Sequence, residues 1–283
     1  MLSVNRIAGV LTAATVGVAA FATSASAQVF QDNMIGYRYG TQFAEPGIRG
    51  DIEKSILSYT HVSGDKWGGN FFNLDILFSD GHDPSVAVNT GAQELYALYR
   101  RTWSYNKLTG SKGHGLIADW GLQMGADFNA KNTLFGSEKK LAIGGPYIAW
   151  AVPVGFLTTA FEACHEWNQN GFARTAQNFD TTFCLEAAWA FPFKVHQAEF
   201  KFSGFFNVVA PKGVGSSGQP ETKTEILTRP ELSLDVGSLF GGKKNFLEVG
   251  VAYEYWLNKF GNDNATVPGA LARTPMLTTR VHF

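Results

Sequence analysis

Ionisable side chains recur at every second position along several stretches, and that spacing is the first chemical signal. Leu116, Ala118, Trp120, Leu122, Met124, Ala126 and Phe128 alternate with a series containing Asp119, Gln123 and Asp127. In an extended chain this puts the polar groups on one face and the apolar groups on the other. The same reading gathers Arg38, Gln42, Asp75, Glu94, Tyr96, Arg100, Glu162, Glu166, Glu186, Glu248 and Glu254 on polar faces, with Phe71, Trp150, Phe156, Phe205 and Trp256 among them. Carboxylates, amides and guanidinium groups beside aromatic rings can stack a planar solute and bond its polar edge, or simply pair with one another.

Bond-breaking chemistry needs more than this. Neither a G-x-S-x-G elbow nor an H-E-x-x-H helix is present, and Cys164-His165-Glu166 supplies a single histidine. A lipid hydrolase would need a Ser–His pair near the membrane surface, but no serine is recognisably matched to His165, which the alternation turns toward lipid. Gly213-Val214-Gly215-Ser216-Ser217-Gly218 reads as a loop tip, since no Lys-Ser/Thr follows to cradle phosphate. No catalytic residue, metal site or cofactor is expected. An adhesive barrel remains the other alternative, although the loops carry no large aromatic cluster.

Cys164 and Cys184 fall on the inward faces of consecutive strands, equidistant from the middle of the intervening loop. A symmetric hairpin sets them opposite each other at a Cβ separation of about 4.5 to 5.5 Å, from which a small pucker gives a disulfide. The oxidising context suits one.

The elements that position these groups are long alternating strands, expected near 33–44, 50–62, 69–79, 92–105, 115–128, 139–151, 156–168, 179–191, 195–209, 223–236, 245–257 and 271–283. In 50–62 either Glu53 or Lys54 points inward. Twelve is an even count, as a bacterial outer-membrane barrel requires, and the longer polar linkers 80–91, 129–138, 169–178, 210–222 and 258–270 all fall on the side away from the termini. The tight joints 152–155 and 192–194 fall on the near side. Leu141 to Phe161 carries no charge and is long enough for a membrane helix, but Gly144, Gly145, Pro146, Pro153 and Gly155 divide it into two strands and a turn.

Composition agrees. Over 283 residues, Lys+Arg 23 balances Asp+Glu 24, so no basic field exists for a nucleic-acid polymer. Mean hydropathy of -0.07 is too low for a helical membrane bundle, while 14% aromatics exclude disorder. Arg6, the apolar run Ile7 to Phe21 and Ala25-Ser26-Ala27 read as a signal peptide over 1–27, leaving 28–283 as one domain. The expected fold is therefore all-β: a closed antiparallel transmembrane β-barrel of 12 strands in the bacterial outer membrane, with lipid around it. Twelve strands enclose a narrow or partly plugged bore suited to small polar solutes. Monomeric and homo-oligomeric forms are equally compatible with it.

Ile35-Gly36-Tyr37-Arg38-Tyr39-Gly40-Thr41-Gln42-Phe43-Ala44-Glu45-Pro46, Asp51-Ile52-Glu53-Lys54 and Gly69-Asn70-Phe71-Phe72-Asn73-Leu74-Asp75-Ile76-Leu77-Phe78-Ser79-Asp80 resemble the nucleoside-specific outer-membrane channel (Tsx-like) family and its outer envelope relatives. The match covers roughly 33–81. It implies passive, selective passage of nucleosides, with Arg38, Lys54, Phe71 and Asp75 as lumen contacts. Beyond it, Glu94, Tyr96, Arg100, Asp119 and Asp127 are lumen contacts on alternation alone.

Overall fold

The computed structural model describes residues 30–83, 85, 90–133, 136, 138–169, 175–215 and 220–283. The expected signal peptide lies outside them. Among the described residues the sheet contains β1 (Phe30–Phe43), β2 (Ile52–Gly64), β3 (Gly68–Ser79), β4 (Gln93–Ser104), β5 (Ile117–Lys131), β6 (Lys140–Trp150) and β7 (Phe156–Gln169). It continues through β8 (Ala176–Asn178 and Thr182–Val195), β9 (Ala198–Val209), β10 (Glu225–Thr228 and Glu231–Asp235), β11 (Leu247–Leu257) and β12 (Leu271–His282). Each pairs antiparallel with its chain neighbours, and β12 returns to β1 through Gly36↔Arg280 and Arg38↔Thr278. The result is a closed barrel of twelve strands. Closure leaves no unpaired edge, the condition for a sheet to cross hydrocarbon.

β10 is one strand because Phe206↔Thr228 and Ser203↔Glu231 keep one register across its gap. The gap lies at Arg229-Pro230, where proline has no N–H for the ladder.

Alternation sorts the side chains as expected. Leu122, Met124, Phe128, Phe161, Phe183, Val251 and Leu277 project outward and are exposed. Such a continuous apolar belt is incompatible with water and matches a lipid-facing wall. Tyr105 stacks on Trp120 and Phe193 on Phe200 near the end that carries the termini, with ring centroids 4.5 Å and 5.6 Å apart. No helix among the described residues is long and apolar enough to cross a membrane.

Three expectations are corrected. A register shift between Gly40 and Phe43 turns Phe43 inward and leaves Gln42 exposed. Trp150 faces outward, where its indole donates to Thr159. The strand expected to stop at 191 runs through Pro192 to Val195, so the tight turn is His196-Gln197 instead of 192–194.

From β11 across the β12–β1 seam to β3 the wall carries apolar groups inward as well: Phe43, Ile52, Ile56, Ala252 and Met276 form a buried cluster with Ile48 and Leu77 against it. Ile48 belongs to the β1–β2 loop, so that loop folds into the bore.

Candidate functional site

The interior divides into three levels. Farthest from the termini, loops fold inward and fill the bore. Lys54 Nζ donates to Glu45 Oε1 at 2.5 Å and lies 3.7 Å from both Asp83 and Glu94. Lys131 reaches Asp83 at 2.7 Å and Glu45 at 3.4 Å, and Lys259 reaches Glu45 at 3.0 Å. Burial alone would raise the Glu45 carboxyl, but Lys259, Lys54 and Lys131 together hold it well below the usual carboxylate range. Across the bore Lys212 donates to Glu166 at 2.6 Å and lies over the Phe179 ring. Lys54, Asp83 and Glu166 are 1% exposed and Lys212 2%. Side chains that face a bore yet touch no water mark a plug.

The middle level is a band of ion pairs. Arg38 meets Asp75 at 2.5 Å, and Arg229 meets Glu254, directly opposite on β11, at 2.8 Å. Arg100 on β4 donates to Asp127 on β5 at 2.6 Å and forks across the bore to Glu186 on β8 at 2.9 and 2.6 Å. Gly125, opposite Arg100, makes this possible: a Cβ there would lie 2.6 Å from the Arg100 Cδ. Gln123 donates to Glu162 at 3.1 Å and to Glu186 at 3.0 Å.

Toward the termini the bore opens. A cavity of about 510 Å³ is lined by Asp32, Phe156, Lys201, Asp235, Glu248 and His282 among others. Lys201 bonds Glu248, and Arg280 bridges Glu231 and Glu248 at 2.9 and 3.1 Å. Above this vestibule Phe71 presents an inward ring that is 38% exposed.

The expected contacts all face the bore, but they do not form one site. Lys54 and Glu94 belong to the plug, which settles the facing of β2 with Glu53 outward. Arg38, Asp75, Tyr96, Arg100 and Asp127 lie in the middle band, where the Tyr96 hydroxyl donates to Asp127 at 2.7 Å. Asp119 is at the open end and accepts from the Asn106 amide and the Tyr147 hydroxyl. Phe71 faces the vestibule. Sequence reasoning missed Glu45, Asp83, Lys212 and Lys259, whose loops read as external. Their only signal was charge within segments otherwise rich in Gly, Asn and Pro.

Cys164 and Cys184 form a disulfide with Cα atoms 6.0 Å apart. They are not directly opposite: Cys164 pairs with Thr182 and Cys184 with Glu162, a register two residues away from the symmetric hairpin. The bridge is diagonal and packs with Leu141 and Ile143 below the plug. His165 faces outward and bonds Thr181 and Asn178, so no serine is paired with it.

No family model matches the chain, and no curated protein does. Among solved structures it is similar to an outer-membrane channel from Pseudomonas putida F1 (12% identity, TM-score 0.46, 91% of this chain and 97% of that one). It is similar also to the NanC porin (11%, 0.44, 89% and 99%) and the KdgM porin (9%, 0.42, 88% and 99%).

Proposed function

We propose that this chain is a bacterial outer-membrane channel for passive diffusion of small polar solutes, with nucleosides as the class that the resemblance over 33–81 suggests. The observation that carries the reading is the two-sided wall: an exposed apolar belt outside, and inside it an open, charged vestibule that narrows to a band of ion pairs. An even strand count leaves both termini on one side of the membrane, the periplasmic side in bacterial barrels, and on this reading the vestibule faces the periplasm and the plug faces outward. The plug is the closed state of the conduit, held by ion pairs between wall and loop. Phe71 and Phe205 supply inward rings on which a base can stack, with Asp75 and Arg229 near enough to bond its edge.

Liposome swelling with uridine or adenosine tests the reading. Uptake by the reconstituted protein, faster in Glu45→Gln, which weakens the plug, is the expected result. Uptake of small sugars without nucleoside preference retires the nucleoside class alone. No uptake by either protein leaves the barrel a structural role.

A further inference from the structure

The ion pairs of the middle band do not balance. Arg38 with Asp75 and Arg229 with Glu254 match one to one. Among the described residues Arg100 is the only guanidinium on the opposite arc, and Asp127 and Glu186 already occupy it, its remaining contacts being the Tyr99 and Ala126 carbonyls. Among the described residues no cation lies within ion-pair distance of Glu162. It is 2% exposed, its Oε1 accepts from Gln123, and its Oε2 has no hydrogen-bond partner.

The surroundings make this more than an acidic cluster. Gln123 holds Glu162 and Glu186 side by side through one amide nitrogen. The charged groups around Glu162 are Glu186 on β8, Arg100 on β4 and Asp127 on β5. From β6 the polar group is the Tyr147 hydroxyl, already given to Asp119, and the neighbouring cysteines are bridged. The Glu186 side chain is 19% exposed, so the pair is open to solvent. An amide hydrogen bond does not neutralise a buried carboxylate; a proton or a cation does, and a cation competes with the proton for the unpartnered Oε2.

We propose that Glu162 and Glu186 form a cation-binding station in the middle band, which takes an alkali ion or the ammonium group of a solute. The station rests on the channel reading and sharpens it. A carboxylate in excess in a narrow bore attracts positive solutes and repels anions, so the conduit selects for cations and for solutes rich in N–H donors.

The test uses the full barrel in planar bilayers under a KCl gradient. Wild type is expected to pass K⁺ several-fold better than Cl⁻, and Glu162→Gln, close in shape, to bring the ratio near unity. Glu53→Gln, on the lipid-side face, leaves it unchanged. Anion preference in wild type, or an unaltered ratio in Glu162→Gln, overturns the proposal. Where the plug suppresses current, ²³Na resonance broadening by the detergent-solubilised protein decides instead. Broadening that Glu162→Gln removes supports the station, and equal broadening by both proteins overturns it. Added methylammonium narrows the line if amines share the station and leaves it if alkali ions alone are taken. Failure of nucleoside uptake leaves these results readable.

Discussion

At the outer end of the bore, Lys54, Lys131 and Lys259 meet Glu45, Asp83 and Glu94 in a set whose charges cancel and from which water is excluded. Halfway down, Arg100 serves two carboxylates while Glu162 has none. The residue types are the same at both levels. A balanced, dry network holds backbone in place, because removing any member strands its partners; an unbalanced one beside water is a place where something else binds. Charge bookkeeping thus separates scaffold from site where composition does not.

The sharpest way to break this contrast is Lys54→Met. It leaves Glu45, Asp83 and Glu94 short of a counter-ion, with an expected loss of about 3–5 kcal/mol, as for other broken buried pairs. Urea unfolding in detergent measures the loss, and a rise in single-channel conductance shows that the plug has loosened. Selectivity set by Glu162 is expected to persist. If Lys54→Met alters selectivity and leaves conductance alone, the two levels have been assigned the wrong way round.

Replacing both Cys164 and Cys184 by Ser comes next. The bridge spans a sequence separation of 20, and closing a loop of that size contributes about 3 kcal/mol. The same urea titration should show the loss, with ion selectivity unchanged, since the bridge braces the wall below the plug and carries no charge.

Acid provides a smaller, graded probe of the plug. The Glu45 carboxyl is held low by its three ammonium neighbours, so its contribution is complete above the ordinary glutamate value of about 4.3 and is lost as pH falls through the depressed folded value. Conductance should stay low in mild acid and rise only in strong acid. In Lys54→Met the rise should begin at higher pH. The least effect is expected from Lys194→Ala at the exposed rim nearest the termini, whose partner Glu199 also binds Lys244. Neither conductance nor melting temperature should move.

The wall was legible in the sequence because two solvents impose a period of two, and in segments such as β5 and β11 only one phase keeps Asp127 or Glu254 out of lipid. That constraint fades where both faces are apolar. β6 has Leu141, Ile143 and Tyr147 inside and Ile148 and Trp150 outside, so its sequence carries no phase and the neighbouring strands decide it. A one-residue bulge reversed Gln42 for a related reason: it resets the phase without leaving a mark in composition. The plug was hidden because Glu45, Asp83 and Lys259 come from three loops distant in the chain. Only closure of the barrel brings them together.

The seam between β1 and β12 has a bearing on biogenesis. The first strand made pairs with the second at once but finds its other partner only in the last, so a growing polypeptide carries two raw edges until Leu271–His282 is delivered. Assembly is then all-or-none, and a chain cut short before that segment would offer those edges to whatever chaperone, protease or sister chain meets it first.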